Sequence, residues 1–317
     1  MSELVRKLAQ ETGVPEPLVR EIMLTAPVRY KEFHIVKKSG GLRKISQPAR
    51  EVKLLQRIAT KILLNQLPVH PCATAYRINS GLLNNVKPHA KNSQILKLDL
   101  KEFFPSLRLV DWYQYCRRNF MNISSEDITL AGRLFFRKTP KKVSLRLAIG
   151  APSSPSMSNI LMYEFDTLVH KYCLTENIVY TRYADDMTFS APRTGYLVGV
   201  IKNVSRIIRK LKSPNLEINS GKTVYATQKY KRSITGLILA NNGSITIGRD
   251  AKRLTRARVH HAIKGRLTED EIIKLSGYLS FIMSVEPSFV YTLQVKYGAH
   301  QINQILHASL TPKERIE

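Results

Sequence analysis

A pair of adjacent acids between two apolar segments constrains most strongly what this chain can fold into. Tyr183-Ala184-Asp185-Asp186 lies between Ile178-Val179-Tyr180 and Met187-Thr188-Phe189, and this pattern predicts a β-hairpin with the aspartates at its tip. Two carboxylates about 4 Å apart repel each other by roughly 4 kcal/mol at an effective dielectric constant near 20. A turn lets both acids face the same way, whereas successive residues of a regular strand point to opposite faces. The pair is therefore either a solvated acidic turn or part of a site for hard cations such as Mg²⁺.

The charge balance of the chain indicates a polyanionic partner. Its 317 residues include 50 Lys plus Arg against 24 Asp plus Glu, for a formal net charge of +26. Such self-repulsion is tolerated most readily when a polyanion binds. Nucleic acid is the favoured partner, because neutralising its phosphates releases condensed counterions. We expect no membrane partner, since the sequence has no uninterrupted apolar span and no strongly amphipathic basic terminus.

Cysteine usage and the first residues favour the cytoplasm. Cys72, Cys116 and Cys173 are isolated from one another, and an odd number of cysteines argues against an oxidising compartment. The N-terminal residues lack the long apolar centre and the small-residue cleavage site of a signal peptide. We therefore expect a cytoplasmic protein.

Hydrophobic periodicity predicts an α+β fold. The predicted helices cover 2–25 (interrupted at 13–15), 50–66, 111–137, the segment from 155 to about 172, 196–212 and the tail from 249. The predicted strands cover 30–36, 42–46, 95–100, the hairpin around Asp185-Asp186, 216–219, 233–240 and 244–247. This mixture, with acids at strand ends, predicts an α+β core with appended helices.

Asp99 is a third acid with potential chemistry. It follows the apolar strand Ile95–Leu98, where it either caps the next helix or faces the Asp185-Asp186 hairpin. In the second case three carboxylates on two strands hold two divalent cations about 3.5–4 Å apart, an arrangement that suits in-line phosphoryl transfer. This chemistry needs positioning and charge neutralisation more than a dedicated base.

Two turns and one basic helix complete the pattern. Gly150-Ala151-Pro152-Ser153-Ser154-Pro155 precedes a helix containing Asn159 and is either an ordinary loop and cap or part of the site. Gly221-Lys222-Thr223 places a lysine where it could meet a triphosphate. Between 249 and 266, six basic residues fall on one helix face about 120° wide, which is either a solvated face or a grip on nucleic-acid phosphates. This basic stripe consists of Arg249, Lys252, Arg253, Arg256, His260 and Lys264.

The order of these elements resembles the successive palm motifs of reverse transcriptases, from Arg43 to the end of the chain. Within that superfamily the sequence is most similar to the bacterial retron reverse transcriptases. Asn85-Val86-Lys87-Pro88-His89 is similar to their Asn-Ala-x-x-His element, and Ile234-Thr235-Gly236 to their Val-Thr-Gly element. Val86 stands in place of the family's Ala and Ile234 in place of its Val, so each change keeps an apolar residue. Ile149 stands where the family usually has Gln, so one polar contact near the nucleotide or template is missing.

The resemblance implies a right-hand polymerase fold and a set of site residues. Its implied divisions are an N-terminal helical extension at 1–28, fingers and palm at 29–235, and a thumb at 236–317. Asp99, Asp185, Asp186 and the carbonyl of Leu100 would hold two Mg²⁺. Phe104 would be the steric gate against a 2′-hydroxyl, although an aromatic residue at such a corner is often simply core. The implied nucleotide contacts are Arg43, Lys44, Arg77, Gly150 and Lys222, and the implied RNA contacts are Asn85, His89, Thr235, Gly236 and the basic stripe.

The implied function is RNA-directed DNA polymerisation of the retron type. Such an enzyme uses deoxynucleoside triphosphates to copy part of a cognate noncoding RNA (msr–msd), starting from the 2′-hydroxyl of an internal guanosine. The product is a branched RNA–DNA molecule, msDNA, and these systems are associated with defence against phage through a separate effector protein. Two alternatives stay open: a reverse transcriptase of the group II intron kind, and a non-catalytic RNA-binding protein on a polymerase scaffold.

Overall fold

The computed structural model describes residues 2–37, 40–78, 80–119, 123–139 and 143–308. The chain divides into two compact units, one formed by Met1–Gly81 with Ile95–Tyr225 and the other by Leu82–Gln94 with Ala226–Glu317. These two units are defined by compactness alone. The predicted boundaries of the N-terminal extension, the fingers and palm, and the thumb, after residues 28 and 235, therefore stay predictions.

Helices dominate both units. They are α1 Glu3–Thr12, α2 Glu16–Thr25, α3 Arg50–Ile62, α4 Leu82–Val86, α5 Phe103–Ser106, α6 Leu109–Arg118, α7 Ser125–Phe135, α8 Ser154–Leu161, α9 Tyr163–Thr175, α10 Val200–Leu211, α11 Arg249–Ile263, α12 Glu269–Val285, α13 Pro287–Tyr297 and α14 Ala299–His307. The strands are β1 Tyr30–Val36, β2 Leu42–Pro48, β3 Gln94–Asp99, β4 Val179–Tyr183, β5 Asp186–Ala191, β6 Val224–Thr227, β7 Arg232–Ile234, β8 Leu237–Leu239 and β9 Ile245–Thr246. They form a β1-β2 pair, a four-stranded sheet in the order β4-β5-β3-β6, and a three-stranded sheet in the order β7-β8-β9.

The central strands of the four-stranded sheet are buried, and this fixes the position of the acids. Ile95, Leu96 and Leu98 of β3 are at most 1% exposed, and Met187 and Phe189 of β5 are fully buried. Apolar residues that point to both faces require covering layers on both sides of the sheet. Strand β3 ends at Asp99 and the neighbouring β5 begins at Asp186. The Leu100 N–H donates to the Asp185 carbonyl, so the two strand ends meet and place Asp99 and Asp186 at the same end of the sheet.

The predicted break between the first two helices is confirmed. Gly13 ends α1 with a φ of +69°, and its N–H donates to the Ala9 carbonyl. Pro15 precedes α2, where its missing N–H costs nothing. Leu8, Val19 and Met23 bury the inner faces of these helices in the core of the first unit.

Three sequence-based boundaries are corrected by the structure. The strand predicted at 233–240 is two antiparallel strands, β7 and β8, because the chain turns at Thr235-Gly236 with positive φ angles. The helix predicted over 111–137 is two helices, because the Ser124 side chain accepts a hydrogen bond from the Asp127 N–H and starts α7 as a new helix. The strand predicted at 216–219 is reduced to a single bridge between Ile218 and Leu100, and regular pairing resumes only in β6, which the sequence did not reveal.

The second unit combines a small sheet with helices. Thr235 and Gly236 form the two-residue turn between β7 and β8, with φ values of +46° and +89°, as a tight hairpin turn requires. The buried Arg232 side chain donates to the backbone carbonyls of Asn92 and Ala240, which joins the segment 82–94 to this sheet. In the described residues no helix is long and apolar enough to cross a membrane.

Candidate active site

The acid pair lies at the tip of the predicted hairpin. Strands β4 and β5 are antiparallel with Tyr183 opposite Asp186, so Ala184 and Asp185 form the turn, and Ala184 has a φ of +58°. Asp185 is half-buried and Asp186 is exposed. The Leu100 N–H donates to the Asp185 carbonyl at 3.1 Å, which ties the end of β3 to the turn. All three predicted metal-binding acids therefore belong to one site.

Asp99 is held by polar contacts and caps no helix. Its carboxylate accepts hydrogen bonds from Asn219 Nδ2 and from Lys222 Nζ, each at 3.0 Å. The capping interpretation is wrong, because α5 begins at Phe103 after Glu102. Asp99 is 6% exposed, so the orientation of its carboxylate is set by these hydrogen bonds rather than by contact with solvent.

The three carboxylates influence one another electrostatically. Partial removal from water, followed by the negative charges of Asp185 and Asp99, raises the pKa of Asp186 to about 6. Burial and then the charge of Asp99 raise the pKa of Asp185, while Lys222 and Arg43 oppose the shift. Neighbouring negative charges that raise the pKa of Asp185 and Asp186 mark a site with excess negative charge. Such a set of oxygen donors fits a hard divalent cation, and the Lys222 ammonium supplies a positive charge at one edge of it.

A buried ion pair fixes the backbone of the β4–β5 hairpin. Arg182 on β4 and Asp166 on α9 are both fully buried and form a two-pronged contact with distances of 2.7–3.2 Å. The same guanidinium donates to the Ala184 carbonyl at 3.0 Å and to Asn159 Oδ1 at 3.3 Å. The Tyr180 hydroxyl donates to Asp166 at 2.8 Å. These contacts fix the backbone from which Asp185 and Asp186 project.

Three aromatic rings lie beside the acids. The Tyr76 ring centroid is 6.4 Å from that of Phe104 and 6.5 Å from that of Tyr183. Phe104 is half-buried, one face packing against the core. The structure is compatible with Phe104 being both a core residue and a steric gate, since a partly exposed ring packed against the core could act as a rigid gate. That role stays a prediction.

The predicted nucleotide contacts in the first unit differ in position. The positive charge of Arg43 lowers the pKa of Asp185, which places this arginine near the acids. Lys44 instead forms a 2.7 Å ion pair with Glu32. Arg77 Nη1 contacts the Pro71 carbonyl at 3.5 Å. Of these three residues, Arg43 is the one whose charge acts on the acids.

Gly150 has a packing reason to be glycine. It adopts a φ of +115°, and a Cβ here would lie 2.9 Å from Ile45 Cγ2 and 3.1 Å from the Ser46 carbonyl oxygen. The neighbouring Ile149 carbonyl accepts a 2.7 Å hydrogen bond from the Ser46 N–H. The loop therefore lies directly against β2, and this backbone contact does not depend on the side chain at position 149.

The predicted RNA contacts of the second unit fall into two groups. Asn85 and His89 are at most 1% exposed, and burial lowers the pKa of His89 to about 3, so both side chains are part of the local structure. Thr235 and Gly236 form the β7–β8 turn. Contact of these four residues with RNA stays a prediction.

The basic stripe lies on and just after α11. Arg249, Arg253, Arg256, His260 and Lys264 are exposed. Lys252 is half-buried and pairs with Glu286, and the Arg256 guanidinium lies 5.0 Å from the Phe289 ring centroid. Thr255 and Val259 are the buried residues of this helix, so the stripe follows its exposed flank.

Sequence reasoning missed the residues that hold the site together. Asn219 and the Arg182–Asp166 pair were not among the predicted site residues. An arginine inside an otherwise apolar strand is a usable signal, because a fully buried arginine needs a partner. The identity of that partner depends on α9 lying across β4, which the sequence pattern does not give.

Comparisons with known proteins agree with this geometry. Residues 35–239 match the family model for "Reverse transcriptase (RNA-dependent DNA polymerase)". The retron Ec83 reverse transcriptase of Escherichia coli is 34% identical over 278 residues, covering 87% of this chain and 89% of that protein. The retron Ec86 reverse transcriptase of Escherichia coli is 29% identical over 306 residues, covering 94% and 91%.

A solved structure confirms the fold. Apo telomerase from Candida tropicalis superposes with a TM-score of 0.52 at 13% identity, covering 88% of this chain and 61% of that one. At this identity the likeness concerns the fold alone, and it confirms the predicted α+β right-hand polymerase fold. Reverse transcriptases generally depend on divalent metal, as the cluster of acids would suggest. The matched family model and the 34% identity to a retron enzyme show that the chain belongs to the reverse transcriptases, which are RNA-directed DNA polymerases, and among them to the retron type.

Proposed function

We propose that this enzyme copies part of a structured noncoding RNA of its own locus into DNA, by two-metal nucleotidyl transfer at Asp99, Asp185 and Asp186. The observation that carries the proposal is the cluster of three carboxylates at one end of the four-stranded sheet, in which the charge of Asp99 raises the pKa of both Asp185 and Asp186. Two Mg²⁺, when bound, would activate the attacking hydroxyl and stabilise the leaving pyrophosphate. The three aspartates and the Leu100 carbonyl are the groups that would hold them.

Lys222 has a defined part in this proposal. Its ammonium contacts Asp99 at 3.0 Å, yet its side chain is 63% exposed, so it can leave the carboxylate at little cost. Once a cation neutralises Asp99, the lysine loses its main attraction there. We expect it to turn to the triphosphate, whose negative charge approaches at that moment. Arg43 would approach the same charge from β2.

Sugar selection is assigned to Phe104. The half-buried Phe104 ring packs against the core, and we expect this packing to resist its displacement by a 2′-hydroxyl. The selectivity for deoxynucleotides then comes from a steric clash rather than from a hydrogen bond.

RNA is held, in this proposal, by the basic stripe through phosphate contacts. Recognition is mainly by backbone and shape, since A-form helices hide their major-groove edges. Replacing Arg253 with Gln should lower the slope of log affinity against log salt by about 1. Arg258→Gln is the matched control, because Arg258 is exposed and lies outside the stripe. Equal slopes of log affinity against log salt for the two variants would contradict RNA binding by the basic stripe.

The retron product is the most specific part of the proposal. Initiation from an internal guanosine 2′-hydroxyl predicts that a short DNA copurifies with the enzyme and stays joined to RNA until a debranching enzyme is added. Linear cDNA alone would contradict branching while leaving RNA-directed polymerisation intact. The buried Asn85 and His89 would act by shaping the RNA-binding surface around them, and the Thr235-Gly236 turn by direct contact.

A role in phage defence with a separate effector follows from the same resemblance. The test is phage plating on cells that carry the whole locus, with the intact enzyme or with Asp185→Asn. Equal plating on both would contradict a defence role that depends on DNA synthesis.

A further inference from the structure

Three side chains of types that bind metals lie close together beside β4, and none of them belongs to the aspartate cluster. His70 and Cys72 lie in the segment before α4, and His170 lies on α9. One ligand atom from each residue lies within 4.8 Å of the other two. His70 and Cys72 are buried and His170 is half-buried. The function proposed above uses none of these groups.

We propose that His70, Cys72 and His170 form a second metal site, with zinc as its ion. Two imidazoles and one thiolate are the donors that Zn²⁺ takes in tetrahedral sites. Mg²⁺ prefers carboxylate, carbonyl and water oxygens. The donor types therefore separate this site from the aspartate cluster, and the two sites would not compete for one ion.

The geometry leaves a small adjustment to be made. Zn–N distances of about 2.0–2.1 Å and a Zn–S distance of about 2.3 Å place tetrahedral ligands roughly 3.3–3.8 Å apart. Since no two donors are more than 4.8 Å apart, they need to approach by at most about 1.5 Å, which side-chain rotation of the half-buried His170 can supply. Its exposed side also offers an entry path for the ion and room for water as the fourth ligand.

The groups around the cluster set the conditions for binding. The Cys72 N–H donates to His70 Nδ1 at 3.2 Å, and metal binding through either ring nitrogen gives up this long hydrogen bond. Burial lowers the pKa of His70, which favours the neutral ring that binds metal. Burial, followed by the charge of Asp166, raises the pKa of the Cys72 thiol to about 12. The metal must displace the thiol proton, so each ion bound releases a proton.

The site is joined to the catalytic hairpin through the backbone. The Arg182 N–H donates to the Cys72 carbonyl at 2.8 Å, and the Thr74 N–H donates to the Arg182 carbonyl at 2.9 Å. Arg182 is also the residue whose side chain pairs with Asp166 on α9. A metal bound by Cys72 and His170 would therefore fasten the segment 70–74 and α9 to β4. Its expected effect is to stabilise the strand that leads to Asp185.

The test is metal binding to the whole chain. Protein stripped with a chelator is titrated with Zn²⁺, and separately with Co²⁺, in buffer containing millimolar Mg²⁺ that occupies the aspartates. We expect one Zn²⁺ per chain after desalting, a higher melting temperature, and with Co²⁺ a thiolate-to-cobalt charge-transfer band. His170→Gln should weaken Zn²⁺ binding by more than about tenfold, and Cys72→Ser should abolish the cobalt–thiolate band.

Matched controls separate this site from other ligands. Cys116→Ser makes the same change at another buried cysteine of the unit, and His261→Gln tests the exposed histidines of α11. Both should bind Zn²⁺ like the unaltered protein. No bound metal, or equal binding in all four variants, would overturn the proposal. Because the readout is metal content and not polymerisation, its failure would leave the proposed function untouched.

Discussion

Removing the charge of Asp166 should destabilise the enzyme strongly, although this residue contacts no substrate. In Asp166→Asn the Arg182 guanidinium stays fully buried but loses its counter-charge. Breaking a buried ion pair by removing one partner costs about 3–5 kcal/mol. At about 2–4 °C per kcal/mol for a domain of about 150–250 residues, the melting temperature should fall by about 6–20 °C.

Glu164→Gln is the matched control for this change. Glu164 lies on the same helix, and its ion pair with Arg118 has side chains 52% and 43% exposed. Such a surface pair contributes at most about 1 kcal/mol. Thermal unfolding followed by circular dichroism compares the two variants directly, and equal shifts would refute the assignment of Arg182–Asp166 as the support of the hairpin.

A double variant tests the physical reason. Asp166→Leu together with Arg182→Met removes both charges and fills the space with apolar groups, which is often neutral for stability. We expect the double variant to be more stable than Asp166→Leu alone, with an interaction energy that a double-mutant cycle measures. Polymerisation should still fall in the double variant, because the Arg182 contact with the Ala184 carbonyl is lost.

Three further predictions concern the acids, the aromatic gate and the glycine loop. The native pKa of Asp186 is raised to about 6. Its contribution to the stability of metal-free enzyme is therefore full below about pH 4 and lost as the pH rises through about 6. Melting scans in chelator should show this loss, and Asp186→Asn should reduce it to the part contributed by Asp185, whose pKa is also raised; an unchanged pH dependence would contradict the assignment. Phe104→Ala should lower the preference for deoxynucleotides over ribonucleotides by about 10–200-fold, the range of steric discrimination, in single-nucleotide incorporation, and an unchanged ratio would make Phe104 a core residue only. Gly150→Ala should lower the free energy of unfolding by more than about 1 kcal/mol in denaturant unfolding. The control, Gly277→Ala, has nothing within 4 Å of its added Cβ and should be neutral or stabilising. Equal effects of the two changes would contradict the packing role of Gly150.

The positions of the three candidate metal-binding acids could be predicted from sequence because their signal is local. Alternating apolar residues around Asp185 and Asp186 define a hairpin, and an acid after a buried strand defines Asp99. Each needs only the period of its own strand, and the structure places all three as expected. The family resemblance added the order of the motifs and with it the fold.

The supporting contacts could not be predicted, because they join distant parts of the chain. Asp166 and Arg182 meet only once α9 lies across β4, and Asn219 reaches Asp99 only through the bridge at Leu100. Helix boundaries failed for a related reason. Ser124 starts a new helix inside an apolar pattern that is equally compatible with one long helix.

The most direct test of the account is primer extension on an RNA template with Mg²⁺ titrated into chelator-stripped enzyme, using the unaltered protein and Asp186→Asn. We expect DNA synthesis that saturates with Mg²⁺ and falls by about 10²–10³-fold or more in the variant, while the variant's metal-free melting temperature does not fall. Synthesis by Asp186→Asn at the unaltered rate would contradict the metal-site assignment. An unaltered protein inactive at every Mg²⁺ concentration would support the non-catalytic scaffold instead.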